Sequence, residues 1–328
     1  MKNVLIYNSQ AAGDCLLGTH TARLYKKQFP DCKIYFCTRA NLTPTTAEGE
    51  DETKELLTLL SLQSGIDGVG QIKNTNEGPA VELFGDNIEE QVKFNEVIEQ
   101  HSWYSNLGIV ASQSHRLFDT YGIDNFNDTE TSFNVGTDKQ LPTDHLVITT
   151  PGPLDWNRKT KNESLRLGFL TGLKNFLQHN NIAAKIVLLG RDVENGTLLD
   201  SLRKINNSHI FIGPMGLPVH AAAGLDVDTI SISSVFPAWY DSPEFYHKGW
   251  HRSVKHKLHC GTYACVSDKI YPEQVPSVEG PKTKWGFWPK TCPHTENKLS
   301  CVNNTSPEDL LKEFEDWYSN RGINLWNH

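Results

Sequence analysis

The sequence predicts an α/β protein made of two Rossmann-like halves whose parallel sheets face each other across a cleft. Three observations predict it. Short apolar strands alternate with helical stretches at the start of the chain, the same alternation restarts at "DHLVITTPG", and a polar connector carrying a proline, "GTDKQLPTD" at 136–144, separates the two series. Strands alternating with helices imply parallel pairing through right-handed crossovers. The 328 residues suffice for two domains, at about 100–200 residues each. The expected division is 1–140 for an N-terminal domain and 141–328 for a C-terminal one.

The first series opens with the strand "KNVLIYNS". The helical "DCLLGTHTARLYKKQF" follows, with Leu16, Leu17, Ala22 and Leu24 on one buried face, and then the strand "KIYFCT". Pro30 and Asp31 punctuate the last connection. "RANLTPTTAEGEDET" reads as a polar surface loop, "KELLTLLSLQ" as a helix and "GIDGVGQI" as a weak strand. Residues 74–140 have little periodicity and read as helices around 88–101 and 114–121 joined by irregular turns.

The second series is more regular. After "DHLVITTPG" come a loop, "PLDWNRKTKN", and the helical "ESLRLGFLTGLKNFLQHN". The strand "AAKIVLLG", the helix "NGTLLDSLRKI", the strand "HIFIG", the small-residue helix "VHAAAG" and the strand "DTISISS" then follow in order. Beyond Ser234 an aromatic- and histidine-rich stretch lacks either period and reads as a long ordered loop. "SPEDLLKEFEDWYSNRG" has an N-cap signature and reads as a helix that packs through Leu310, Leu311, Phe314, Trp317 and Tyr318.

Composition narrows the function. The net charge of −8, from 31 basic and 39 acidic residues without a long Lys/Arg run, argues against a nucleic-acid partner. The N-terminal apolar run is too short for a signal peptide, and no stretch of about 18 apolar residues marks a transmembrane segment, so a cytoplasmic location is expected. Neither a Walker motif nor a Gly-x-Gly-x-x-Gly follows the first strand, which disfavours ATPases and common dinucleotide dehydrogenases.

Ligands of open parallel sheets collect at the carboxyl ends of the strands, where helix N-termini direct N–H groups outward. Three such ends stand out at 149–152, 190–192 and 213–216. Their threonines and glycines suit a pyrophosphate, and a sugar nucleotide is the ligand class that remains.

"GDCLLGTHTARLYKKQFPDCKIYFCT" resembles the start of the ADP-heptose:lipopolysaccharide heptosyltransferases, where a Gly-Asp-Val-Leu stretch opens the first helix. "HIFIGPMGLPVHAAAGLDVDTISI" is similar to that family's Gly-x-Asp-Ser-Gly-x-x-His-x-Ala-Ala-Ala segment. The order of the remaining pieces agrees: a Pro-Gly near the junction, a Leu-Leu-Gly strand, and a late Cys-rich region closing with "CVNNTSPEDLLKEF". The resemblance lies mainly in residues 1–40 and 145–315. It implies an inverting glycosyltransferase of the GT-B fold that requires no cofactor and no catalytic metal. The acceptor, a glycan, lipopolysaccharide or protein, would sit on the N-terminal domain and the nucleotide sugar, with an ADP-sugar favoured, on the C-terminal domain. This chain departs from the pattern at Met215, Gly216 and Leu217, where the family has Asp-Ser-Gly; the Asp that helps hold the donor is missing. A lapsed binding or assembly protein, and an enzyme using a GDP- or UDP-sugar, are the alternatives.

The resemblance assigns roles. Asp14 would be the base that takes the acceptor hydroxyl's proton, with Ser9, Gln10 and Gly13 on the acceptor side; Asp14 equally suits an N-cap of the first helix. Gly213, Met215, Gly216 and His220 would hold the donor, although His220 also fits a histidine that ties its turn together. Thr149 and Thr150 would contact the donor phosphates. Arg158 and Lys159 would neutralise the departing diphosphate, or belong to an ordinary solvated loop. Glu194 suits the ribose hydroxyls or plain surface charge. Cys15, Cys32 and Cys37 read as small buried hydrophobes. Cys260, Cys265, Cys292 and Cys301, spaced Cys-x4-Cys and Cys-x8-Cys, read as a structural zinc or iron site or as reduced thiols; relatives that modify autotransporter proteins carry a cysteine-bound iron in this region. His251, His256 and His259 are the substitutes for one ligand.

Overall fold

Two five-stranded sheets organise the described residues. The computed structural model describes residues 1–8, 11–39, 47–75, 78–84, 92–100, 110, 114, 117, 120–123, 129–154, 156, 162–190, 193, 196–232, 242–254 and 305–322. These divide into two compact units, one of Met1–Asp138 with Thr197–Arg203, the other of Lys139–Gly196 with Lys204–His328.

In the first unit, β1 (Asn3–Asn8), α1 (Ala12–Gln28) and β2 (Lys33–Arg39) form the expected β-α-β unit. α2 (Ala47–Ser61), β3 (Gly68–Thr75), β4 (Gly78–Phe84) and β5 (Glu96–Gln100) follow. The strand order is β4-β3-β2-β1-β5, with only β3 and β4 antiparallel. Val4, Ile6, Ile34 and Phe36 from the two central strands pack in the core with Leu16 and Leu17 of α1. Asp67 fastens the entry to β2: its Oδ2 accepts from the Ile34 amide at 2.8 Å and from Lys26 Nζ at 3.0 Å.

Three expectations in this unit need correction. Where a helix was expected around 88–101, Glu96–Gln100 is a strand paired in parallel with β1, Val4 to Glu96 through Asn8 to Gln100. The pairing decides its conformation: Ile98 and Gln100 face inward while Val97 is 58% exposed, a period of two that a five-residue segment barely displays. β4 arises likewise from its antiparallel partner β3 rather than from any strong pattern of its own. The helix before "KELLTLL" starts at Ala47, inside the supposed loop; that tract is acidic, and acidic residues favour a helix N-terminus. Ser114, Leu117, Thr120 and Tyr121 are helical, as expected for 114–121.

The second unit follows its sequence pattern closely as far as Ile232; beyond Ser234, where a long loop was expected, His251–Val254 is a strand, formed by parallel pairing with Thr229–Ile232 rather than by any period of its own. β6 (Leu146–Pro151), α3 (Glu163–His179), β7 (Ala184–Leu189) and β8 (Ile210–Pro214) are succeeded by α5 (Leu217–Gly224) and β9 (Asp228–Ile232); α4 (Leu198–Asn206), between β7 and β8 in the chain, belongs to the first unit as far as Arg203. A short 3-10 turn (Pro243–Phe245), β10 (His251–Val254) and α6 (Pro307–Trp317) complete it. The order is β10-β9-β8-β6-β7, parallel throughout. Ile148, Ile210, Ile212 and Ile230 pack with Phe169 and Leu173 of α3 and Phe314 and Trp317 of α6 in one core. α6 begins with a capping box in which Ser306 Oγ accepts from the Asp309 amide and Asp309 Oδ2 from the Ser306 amide, both at 3.1 Å. Trp317 Nε1 donates to Asp228 Oδ2 at 2.8 Å, which ties α6 to the start of β9. No described helix is long and apolar enough to cross a membrane.

Candidate functional site

In an open parallel sheet the ligand crevice lies where successive strands are laid down in opposite directions from a common neighbour, at their carboxyl ends. The first sheet runs outward from β1 through β2 to β3 and β4, and then returns to place β5 on β1's other side. Its switch point therefore lies between β1 and β5, which end at Asn8 and Gln100. The two side chains meet there: Asn8 Nδ2 donates to Gln100 Oε1 at 2.9 Å and to the Asp14 carbonyl at 3.2 Å. Gln100 Nε2 donates to the Gly18 carbonyl at 2.9 Å and to Thr21 Oγ1 at 2.6 Å. These buried amides lock the first two turns of α1 onto the strand ends, and a side chain on Gly18 would collide with both.

α1 presents Asp14 at this point. The helix cap is Ala11, which supplies no side-chain hydrogen bond, and Asp14 is the third helical residue. The capping account of Asp14 is thereby corrected. A half-buried carboxylate in the first turn lies where the helix dipole favours negative charge. Gly13 is buried beside it; Ser9 and Gln10 lie outside the described residues. Cys15 packs beneath, its Sγ 3.3 Å from Thr38 Oγ1. Burial pushes the Cys15 and Cys37 thiols up to about 12, so both behave as apolar groups.

The second sheet runs from β6 to β7 on one side and resumes with β8 on the other, so its switch point lies between β6 and β8. Two of the three expected strand ends, 149–152 and 213–216, flank it; of the third, Gly190 follows β7 directly, and 191 and 192 lie outside the described residues. Thr149 and Thr150 are both fully buried within β6. Thr149 Oγ1 is 3.0 Å from Ser208 Oγ. Thr150 Oγ1 has no hydrogen-bond partner among the described residues, an exception that a buried hydroxyl in a native fold seldom makes. Gly213 owes its lack of a side chain to Pro151, whose ring would lie 2.7 Å from an added Cβ. Met215 is buried and its amide donates to the Ile232 carbonyl at 3.1 Å.

Gly216 caps α5 with φ 154° and ψ −167°, a region reserved for glycine. Gly216→Ala is expected to cost about 1–3 kcal/mol of stability, measured by urea unfolding. His220 is the fourth residue of α5. It is 5% exposed, and its Nδ1 lies 2.6 Å from Tyr246 Oη. Ala221, Ala222 and Ala223 are fully buried behind it, small enough for the helix to sit close to the sheet.

Several expected residues lie outside the described ones: Arg158, Lys159 and Glu194, the four cysteines Cys260, Cys265, Cys292 and Cys301, and His256 and His259. Among the described residues no group of three or more His, Cys, Asp or Glu is placed to hold a metal ion. His251 is buried in β10, with Nδ1 2.9 Å from Thr229 Oγ1 and Nε2 3.3 Å from both His247 Nδ1 and the Lys248 carbonyl. Sequence reasoning missed Tyr246 and the Asn8–Gln100 pair. The concentration of aromatics and histidines after Ser234 was the one available signal for Tyr246.

No protein-family model matches the chain, and no curated protein sequence matches it. Solved structures do. The iron-containing dodecameric glycosyltransferase TibC from enterotoxigenic E. coli H10407 superimposes with a TM-score of 0.57 at 11% identity, over 97% of this chain and 76% of that one. TibC described as a dodecameric iron-containing heptosyltransferase in complex with ADP-D-beta-D-heptose gives a TM-score of 0.58 at 11% identity, over 97% and 77%. The chain shares the fold of TibC. At this identity the likeness establishes architecture, and the α/β class with two mostly parallel sheets stands as expected from the sequence.

Proposed function

We propose that the protein is an inverting glycosyltransferase that moves a sugar, a heptose or a relative of it, from a nucleotide donor to a glycan, lipopolysaccharide or protein acceptor. The observation that carries this reading is the coincidence of switch points with sequence motifs. The β1–β5 switch carries Asp14 and the β6–β8 switch carries the Thr149–Thr150 pair and the 213–220 turn. The TibC fold, and the ADP-heptose in one TibC complex, favour an ADP-sugar as donor.

In this reading residues 1–140 take the acceptor and 141–328 the donor. Asp14 accepts the acceptor's hydroxyl proton as that oxygen bonds to the anomeric carbon, and the bond from that carbon to the diphosphate oxygen breaks. Ser9, Gln10 and Gly13 border the acceptor. Thr149, Thr150, Gly213, Met215, Gly216 and His220 border the donor, Glu194 meets its ribose, and Arg158 and Lys159 with the N-terminus of α5 neutralise the diphosphate as it leaves. Fixed cations in that role make a catalytic metal unnecessary. A second reading, a non-catalytic binding or assembly protein, is favoured by one feature: Met215 supplies no carboxylate where the heptosyltransferase pattern has Asp.

The experiment that separates them is a thermal-shift screen of ADP-, GDP- and UDP-sugars. Stabilisation by an ADP-sugar supports the reading. Preference for GDP or UDP replaces the donor, and no stabilisation by any of them favours the non-catalytic protein. Binding at 100 times the dissociation constant would add about 2.7 kcal/mol, ample for detection.

We further propose that Cys260, Cys265, Cys292 and Cys301 hold one structural zinc or iron ion. Four thiolates are a soft donor set suited to tetrahedral coordination of either, and a reducing, cytoplasmic location keeps them available. Elemental analysis of the purified protein is expected to find about one ion per chain, reduced by replacing Cys260 and Cys265 with Ser. Metal-free protein that remains folded would exclude the site.

A further inference from the structure

Tyr246 is 26 residues beyond His220 in sequence, in a segment with no helical or strand period, yet their side chains meet inside the second unit. His220 Nδ1 and Tyr246 Oη are 2.6 Å apart with both residues buried, at 5% and 6% exposure, and the two rings lie 6.1 Å apart at 35°. Neither group reaches the other by chance of a long, loose side chain. His220 is anchored at the start of α5, where its amide donates to the Gly216 carbonyl at 3.2 Å.

Tyr246 is anchored as firmly. Ser242 Oγ accepts from the Glu244 amide at 3.4 Å and starts the 3-10 turn, and the Tyr246 and His247 amides both donate to the Pro243 carbonyl, at 3.1 and 2.9 Å. His247 Nδ1 then contacts the Lys248 carbonyl at 2.5 Å and His251 Nε2 at 3.3 Å. The phenol is thus presented to α5 from a turn whose backbone is hydrogen-bonded on both sides.

We propose that Tyr246 is a positioning residue for His220: its hydroxyl donates to Nδ1, which holds the ring in one orientation and leaves its N–H on Nε2. The chemistry gives the direction. A phenol is the stronger donor, and a neutral imidazole has one N–H and one acceptor nitrogen, so an Nδ1 that accepts fixes the Nε2–H tautomer. The consequence for function rests on the donor reading of the 213–220 turn. There, an imidazole with its N–H fixed at Nε2 recognises an anionic oxygen of a nucleoside diphosphate as a preset donor, without reorganising its proton when the ligand arrives.

The test uses full-length protein with ring-15N-labelled histidine. The His220 ring signals are assigned from their loss in His220→Gln, and the readouts are the tautomer and the dissociation constant for ADP. The unaltered protein is expected to show a single Nε2–H tautomer with an accepting Nδ1. Tyr246→Phe, which keeps the ring and removes the hydroxyl, is expected to shift the Nδ1 resonance towards that of an unbonded nitrogen and to admit the other tautomer. ADP binding should weaken about three- to tenfold, the worth of one hydrogen bond between neutral groups. An Nδ1–H tautomer in the unaltered protein, or a ring signal that Tyr246→Phe leaves in place, would overturn the proposal. A signal that moves as expected in a protein that does not bind ADP upholds the tautomer control by Tyr246 and refutes the donor reading alone.

Discussion

Replacing Asp14 by Asn is expected to lower sugar transfer by about 10²–10⁴-fold while leaving donor affinity near that of the unaltered protein. The amide keeps the carboxylate's shape and can accept a hydrogen bond, but it takes no proton at neutral pH. Position explains why this side chain, and not its neighbours, carries the effect. Asp14 is in the first turn of α1, which the Asn8 and Gln100 amides clamp to the two strand ends at the β1–β5 switch. The cap belongs to Ala11, so the substitution does not remove a helix cap. The expected signature is a fall in kcat with little change in the concentration of donor needed for half-saturation. Near-normal turnover by the amide variant would remove Asp14 from the chemistry.

The second large effect is loss of stability in mild acid. Burial lowers the His251 imidazole from its usual 6.5 to about 4, with the neighbouring His247 acting in the same direction. Arg252 and Arg321 oppose its protonation as well, and His209 is shifted downward too, chiefly by burial. A histidine whose folded pKa is depressed favours folding in its neutral form. Its contribution is complete above 6.5, and it is lost as the pH falls from there towards 4. The difference for His251 corresponds to about 3 kcal/mol by pH 4. Urea unfolding between pH 7 and pH 4 should show this decline, and His251→Gln, whose amide does not titrate, should flatten it. An unchanged pH dependence in that variant would place the acid-sensitive group elsewhere.

β6, β7 and β8 were legible because they are compact apolar runs ended by Pro or Gly between helical stretches, whereas β10, with His251 and Arg252 in four residues, carries no apolar run and takes its strand form from β9. β4 and β5 were illegible for the same reason. Their side chains follow a strand pattern only once β3 and β1 supply partners, and Glu96, Glu99 and Gln100 carry no apolar signal. The candidate site divides in the same way. Threonine and glycine at strand ends mark 149–152 and 213–216 in the sequence itself, and Gly13 and Asp14 follow a strand directly. Contacts across long separations leave no such mark. Asn8 and Gln100 are joined over 92 residues, and His220 and Tyr246 over 26. Gly213 illustrates a different limit: the sequence shows the glycine but not its neighbour, the Pro151 ring, which would lie 2.7 Å from an added Cβ.

The claim that a nucleotide sugar is held at the carboxyl edge of the second sheet is tested most directly by mapping ADP onto the protein with methyl-labelled NMR. The methyl groups of Thr149 and Thr150 on β6, and of Ala221 in α5, report on the β6–β8 switch point. Leu146, at the opposite end of β6, is the control. The account predicts saturable shifts at the first three with Leu146 unmoved. Shifts centred on Leu146, or none at ADP, GDP or UDP concentrations in the millimolar range, about the upper end of working substrate affinities, would contradict it.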